Sequence, residues 1–111
     1  MSEPVVDIDP TQAHDLHESG AVVLLDVREP EEWQAGHAPG ALHIPLGDLD
    51  ADRVAGSDIV VVCRSGNRSG QAVQRLAASG VPARNMTGGM KAWAADGLPI
   101  VTPQGGPGTI A

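Results

Sequence analysis

Residues 59–69 read IVVVCRSGNRS and combine the patterns of a buried strand, a loop and a helix. The apolar run Ile59–Val62 predicts a buried strand, a polar loop follows it, and the next residues predict a helix that continues to about Ala78. Cys63, the only cysteine of the chain, comes directly after the strand. The thiol is therefore expected at a helix N-terminus, where unpaired backbone N–H groups point outward. With two arginines beside it, this arrangement favours a thiolate and an anion site in one place.

Composition limits the classes of protein to which the chain can belong. Its 111 residues are enough for one domain with a real core, and 41% of them are hydrophobic. The net charge of -7 disfavours a nucleic-acid partner, and no apolar run approaches the length of a membrane span. A single cysteine cannot form an internal disulfide, and the N-terminus lacks the pattern of a secretory signal, so a cytoplasmic location is expected.

The rest of the chain alternates between strand and helix patterns. Strands are predicted at 5–8, 21–27, 43–44 and 81–86, and helices at 10–18, after Pro30, and at 90–95. Such alternation predicts an α/β fold with a mainly parallel sheet and helices on both faces. In these sheets the functional loop lies at the carboxyl ends of the strands, where Cys63 is placed. We expect residues 1–101 to form the domain and 102–111, rich in Gly and Pro, to be a disordered tail.

Metal sites are not indicated. His14 and His17 could share a helix face, but no third ligand lies near them in sequence. The alternating acids Asp48, Asp50 and Asp52 lack the Gly and the distant Glu of an EF-hand loop.

The loop after Cys63 has the features of a reactive site. A free cysteine is often just a small buried hydrophobic residue, but that role would not need two arginines or a glycine-containing loop. Gly66 permits the positive φ that turns successive N–H groups inward. Four residues separate Cys63 from Arg68, whereas cysteine phosphatases use five. The shorter loop favours a cradle for a single sulfur atom on the cysteine over one for a phosphoryl group.

Four segments of the chain, in the order in which they occur along it, resemble the motifs of the single-domain rhodaneses, which are thiosulfate sulfurtransferases. The loop Cys63–Ser69 is similar to the active-site loop of that family. The segments at 25–33 (LDVREPEEW) and 36–45 (GHAPGALHIP) resemble its first motif and the continuation of that motif. The segment 88–93 (GGMKAW) is similar to its closing Gly-Gly-x-x-x-Trp helix. Together they extend over residues 5 to about 99.

The resemblance implies a rhodanese fold of about five strands and a double-displacement mechanism without a metal or organic cofactor. The Cys63 thiolate would take the outer sulfur of a donor such as thiosulfate, and cyanide or a thiol would then accept that sulfur. The other residues of the loop would bind the donor and the persulfide anion. These are Arg64, Ser65, Gly66, Asn67, Arg68 and Ser69.

Several roles stay open at this point. Arg68 could orient the loop or bind donor oxygens, or it could form a purely structural salt bridge. Arg64 could attract the donor or be a solvated side chain. Asp26 and Arg28 could support the loop from the neighbouring strand, although a structural ion pair is favoured. His37 is interpreted as a residue that orders its loop.

Other side chains near these motifs are given structural roles. His43 is interpreted as a second loop-ordering residue. Trp33 and Trp93 are predicted core anchors.

Two other functions are alternatives to an active sulfurtransferase. The first is a non-catalytic or sulfur-carrier rhodanese module that acts with a protein partner; the intact Cys63 disfavours a module without catalysis. The second is a phosphatase or arsenate reductase, which the loop length disfavours. The expected partners are a small anionic donor and a thiol or cyanide acceptor, with no nucleic acid or membrane, and the domain is expected to act as a monomer.

Overall fold

The computed structural model describes residues 7–111 as four strands and four helices. In chain order they are α1 (Pro10–Glu18), β1 (Val23–Asp26), α2 (Pro30–Ala35), β2 (Leu42–His43), β3 (Ile59–Val62), α3 (Asn67–Ala78), β4 (Ala83–Asn85) and α4 (Gly89–Ala95). Two short 3-10 turns, Leu46–Asp48 and Ala51–Arg53, lie between β2 and β3.

The first helix begins at Pro10, as predicted, and local capping interactions stabilise its start. Asp9 Oδ1 accepts a hydrogen bond from Gln12 N at 2.8 Å, and Gln12 Oε1 accepts one from Asp9 N at 3.2 Å. Pro10 occupies the first helical position, where its missing N–H is not needed. The predicted α1 is confirmed at both ends.

All strand pairs of the sheet are parallel, in the order β2-β1-β3-β4. The two central strands pair along their whole length, from Val23 opposite Ile59 to Asp26 opposite Val62. Because all strands run the same way, their carboxyl ends meet at one edge of the sheet. As predicted, Cys63 follows β3 at this edge; the ends of β1 and β4 lie on either side of it.

Helices cover both faces of the sheet and form two cores. On one face, Leu25 and Val61 pack with Leu76 of α3. On the other, Leu24 and Val60 pack with residues of α1 and α4, among them the fully buried Trp93. The predicted α/β fold with helices on both faces is confirmed.

The number of strands is close to the prediction of about five. Four lie in the sheet of the described residues, and Ile8 adds one isolated parallel bridge to Met86, beside β4. The predicted strand at 5–8 begins at Val5 and Val6, which lie outside the described residues.

The last ten residues differ from the expected disordered tail. Thr109 N donates to Ala35 O at 3.0 Å and Gly108 N donates to Ile100 O at 3.1 Å. The side chain of Ile110 packs against the second core. A composition rich in Gly and Pro suggested a segment with nothing to pack against, but the glycine backbone here fits closely against the end of α2.

Within residues 7–111, the structure contains no helix that is long and apolar enough to cross a membrane. The same residues contain no group of three or more His, Cys, Asp or Glu side chains placed to hold a metal ion.

Candidate active site

The loop after β3 wraps around the Cys63 sulfur. Gly66 adopts a φ of 110°, which residues with a Cβ rarely adopt, and this conformation turns the loop inward. As a result, Gly66 N donates a hydrogen bond to Cys63 Sγ at 3.0 Å. The helix α3 begins immediately afterwards, so that its N-terminus faces the same sulfur.

Helix α4 supports this loop from behind. Met90 N donates to Cys63 O at 2.7 Å, and Lys91 N donates to Arg64 O at 3.0 Å. A Cβ at Gly89 would lie 2.5 Å from the carbonyl oxygens of both loop residues, so only glycine fits at this contact. The Gly-Gly pair of the sequence thus allows two unpaired N–H groups of α4 to bind the loop backbone.

The Cys63 thiol is both a core residue and a hydrogen-bonded group. It is 1% exposed and belongs to the first core. Burial alone raises the pKa of the thiol, but the stabilisation of the ionised sulfur by the Ser69 hydroxyl and by the backbone N–H groups of Ser69, Gly66 and Ser65 outweighs it. The pKa of the Cys63 thiol is therefore lowered from its ordinary value.

Arg68 is held by a carboxylate from α2. Its Nη1 lies 2.6 Å from Glu32 Oε1 and its Nη2 lies 2.9 Å from Glu32 Oε2. The hydrogen bond from Arg68 lowers the pKa of Glu32 to about 2, and the same bond raises the pKa of Arg68. This geometry corresponds to the structural salt bridge that the sequence left open, because both terminal nitrogens of Arg68 already have a partner.

Ser69 and Asn85 form the floor of the site. The buried Ser69 Oγ lies 3.3 Å from Cys63 Sγ and donates to Asn85 Oδ1. Asn85 Nδ2 in turn donates to Gly66 O at 3.2 Å. The end of β4 thereby connects two separate points of the loop.

The three other loop residues are at the surface or close to it. Arg64 is exposed, and its Nε donates to Ala111 O at 2.8 Å. Its Nη1 and Nη2 have no hydrogen-bond partner among residues 7–111. Ser65 and Asn67 are also exposed, and the backbone N–H of Ser65 helps to lower the pKa of the Cys63 thiol.

Asp26 and Arg28 form an ion pair with both side chains fully buried. Arg28 Nη2 lies 2.7 Å from Asp26 Oδ2 and also donates to Gly36 O at 2.8 Å. Since Gly36 directly follows α2, the pair fixes the end of this helix to the sheet. Neither side chain forms a hydrogen bond to the Cys63 loop; Arg28 instead binds backbone oxygens of Glu32 and Gly36, at α2.

His37 lies in a stack of three rings with Trp33 in the middle. The rings of His37 and Trp33 are parallel with centroids 3.5 Å apart, and His43 stacks on Trp33 at 4.7 Å. His37 Nδ1 is 3.0 Å from Trp33 O, and His43 Nε2 is 2.8 Å from Arg28 O. Both histidines bind backbone of the segment around α2, which fits an ordering role.

Sequence reasoning missed Glu32 and Asn85. Glu32 sits three positions after Glu29 at the start of α2, where it accepts a bond from Glu29 N, so its sequence context indicates only a helix cap. Asn85 could have been found, because a polar residue at the carboxyl end of a strand beside β3 must lie near the loop after β3.

Residues 9–96 match the sequence profile of the Rhodanese-like domain family. A protein of Allochromatium vinosum named "Sulfurtransferase" is 40% identical over 98 residues, which cover 81% of this chain and 88% of that protein. "Thiosulfate sulfurtransferase 16, chloroplastic" of Arabidopsis thaliana is 36% identical over 105 residues, with 80% and 87% covered.

Longer relatives and solved structures also match. The chain is 38% identical over 109 residues to an uncharacterised protein of Synechocystis; the match covers 95% of this chain but only 61% of that protein. The crystal structure of a rhodanese-related protein from Thermoplasma volcanium superposes with a TM-score of 0.78 at 30% identity, and the match covers 86% of this chain and 96% of that one.

Proposed function

This chain belongs to the rhodanese-like domain family, and from that membership we propose that it is a sulfurtransferase with Cys63 as its nucleophile. The proposed reaction moves a sulfane sulfur from a small anionic donor, such as thiosulfate, to a thiol or cyanide. Relatives of similar length that are named as sulfurtransferases support this class of reaction.

The observation that carries the proposal is the environment of the Cys63 sulfur. One N–H group points at it from 3.0 Å, a hydroxyl oxygen lies 3.3 Å away, and the pKa of the thiol is lowered. A core cysteine without a chemical role needs none of these contacts. The same donors suit a persulfide anion, whose terminal sulfur would carry the charge after transfer.

The reaction is proposed as two displacements. The thiolate attacks the outer sulfur of thiosulfate, a Cys63 S–S bond forms, and the donor S–S bond breaks to release sulfite with the bonding electron pair. Cyanide or a thiolate then attacks the terminal sulfur of the persulfide. This second step breaks the new S–S bond and returns Cys63 to the thiolate.

The two arginines are proposed to have different roles. Arg68 shapes the loop, since Glu32 holds both of its terminal nitrogens. Arg64 attracts the donor, because its terminal nitrogens have no partner among residues 7–111. Ser65, Gly66, Asn67 and Ser69 are proposed to surround the donor and the persulfide, chiefly through their backbone N–H groups.

Intact mass spectrometry under non-reducing conditions tests the proposal. After incubation with thiosulfate we expect wild-type protein to gain the mass of one sulfur atom, and added cyanide to remove it. The control is Cys63→Ser, which should gain nothing. Wild-type protein without an adduct would favour the non-catalytic module, and an equal adduct on Cys63→Ser would exclude Cys63 as the nucleophile.

A further inference from the structure

Asn85 lies at the end of β4 and contacts the Cys63 loop twice through one amide group. Its Nδ2 donates to Gly66 O at 3.2 Å. Its Oδ1 accepts from the Ser69 hydroxyl. The two contacts are interdependent, because one planar amide supplies both.

The hydrogen bond to Gly66 determines which way the amide points. Gly66 O is a carbonyl oxygen and can only accept, so the NH2 side of Asn85 must face it. The amide oxygen therefore faces Ser69 Oγ, and it too can only accept. It follows that the single hydroxyl proton of Ser69 is donated to Asn85.

Cys63 Sγ lies 3.3 Å from the same hydroxyl oxygen. While the Ser69 proton points at Asn85, the oxygen can only accept from Sγ, which requires a protonated thiol. A thiolate has no proton to give, so a hydrogen bond to it requires the hydroxyl to rotate away from Asn85. One proton thus has two competing acceptors.

We propose that the Asn85 amide competes with the Cys63 thiolate for the hydroxyl proton of Ser69, and that Asn85 thereby favours the protonated thiol. On ionisation the thiol proton leaves Sγ for solvent, the Ser69 hydroxyl turns to donate to the thiolate, and Asn85 Oδ1 loses its donor. Asn85 is in this sense a positioning residue, which acts on the nucleophile through Ser69.

The charged groups around Cys63 come from every element that packs against the loop. They are Arg64 in the loop itself, the Arg68–Glu32 pair between α3 and α2, the Asp26–Arg28 pair at the end of β1, and Lys91 on α4. None of them forms a hydrogen bond with the Asn85 side chain. Substitution of Asn85 therefore tests the effect of the Ser69 hydroxyl on Cys63 while all of these charged groups are still present.

The direct test is to titrate Cys63 in Asn85→Leu and to monitor its ionisation by the ultraviolet absorbance of the thiolate. Freed from Asn85, the Ser69 hydroxyl can donate to the thiolate without losing another bond. We expect the pKa of Cys63 to fall by about 0.5–1 unit, the equivalent of one net hydrogen bond. If Asn85 only held the loop, its loss would release Gly66 N–H from Sγ, and the pKa would rise or stay unchanged; either result would overturn the proposal.

Ser69→Ala supplies the matched background, because it removes the contested proton. In Ser69→Ala protein, adding Asn85→Leu should not lower the pKa of Cys63. A fall of the same size in both backgrounds would show that the hydroxyl is not involved, and would also overturn the proposal.

A second measurement needs no change at Asn85. The single cysteine gives one infrared S–H stretching band, which moves to lower frequency when the thiol donates a hydrogen bond. We expect the band of the wild-type protein at lower frequency than that of Ser69→Ala, and equal frequencies would contradict the proposal. This inference rests on the proposed function only in taking Cys63 as the nucleophile. Neither the titration nor the infrared measurement uses a sulfur donor. If the inference failed, the mass experiment would still decide whether the protein transfers sulfur.

Discussion

Glu32 and Arg68 are 36 positions apart in sequence, yet they form the one ion pair between a flanking helix and the Cys63 loop within residues 7–111. The ion pair is bidentate, and this geometry fixes the orientation of the guanidinium as well as its position. Arg68 lies on the first turn of α3, so Glu32 holds the start of this helix against α2. The N–H groups around Cys63 come from the same turn and the loop before it.

The first prediction concerns acid stability. The pKa of Glu32 is lowered to about 2 from 4.5, so between these values the unfolded chain binds more protons than the folded one. The stabilisation is complete above pH 4.5 and is lost as pH falls through about 2. The full shift corresponds to about 3 kcal/mol, but Arg68 is 32% exposed, and with solvent screening we expect about 1–2 kcal/mol.

Denaturant unfolding at a series of pH values measures this loss. In Glu32→Gln the capping oxygen remains but the charge is gone, so the part of the acid destabilisation that Glu32 causes should disappear. Glu31→Gln, which changes the same charge at an exposed position of the same helix, should follow the wild-type curve. If Glu32→Gln also followed it, the ion pair would contribute nothing to stability.

At the scale of elements, the contact between α4 and the loop is the closest backbone approach at the site. A second prediction follows for Gly89→Ala. Its Cβ would lie 2.5 Å from backbone atoms of Cys63 and Arg64, and its φ of 62° disfavours a side chain. We expect a loss of about 2 kcal/mol or more in the free energy of unfolding, together with slower sulfur loading of Cys63.

Gly97→Ala is the matched control for this change. Gly97 has a φ of 73°, but a Cβ there would meet nothing within 4 Å. This variant should lose only the cost of the backbone conformation, about 1 kcal/mol, and should load sulfur as the wild type does. Equal effects of both variants would mean that the α4 contact does not hold the loop.

The elements were predictable because their signals are local. The cap at Asp9, the apolar run Ile59–Val62 and the Gly-Gly pair at the start of α4 each lie within a few residues of the element they determine. The partners of the site were not predictable in this way. Glu32 meets Arg68, and Asn85 meets Ser69, only because the parallel sheet brings separate segments to one edge.

At the scale of the whole molecule, the C-terminal segment (residues 101–111) joins α2 to the rim of the site. Val101 pairs with His37 through two backbone hydrogen bonds of 2.9 Å, and Thr109 binds the end of α2. The segment then reaches Arg64, whose Nε donates to Ala111 O. The whole segment lies after residue 96, where the match to the family profile ends.

The last prediction decides between this arrangement and the disorder that composition suggested. The amides of Gly108 and Thr109 should exchange with solvent deuterium at least about tenfold more slowly than unstructured amides, since both are hydrogen-bonded. Gly108→Ala should abolish this protection, because its Cβ would lie 2.8 Å from Gly36 Cα and 3.0 Å from Val101 C. Gly106→Ala, whose Cβ would meet only Thr102 Oγ1 at 3.6 Å, should retain it. Unprotected amides in the wild-type protein would mean that the segment is disordered and that Arg64 is oriented by the loop alone.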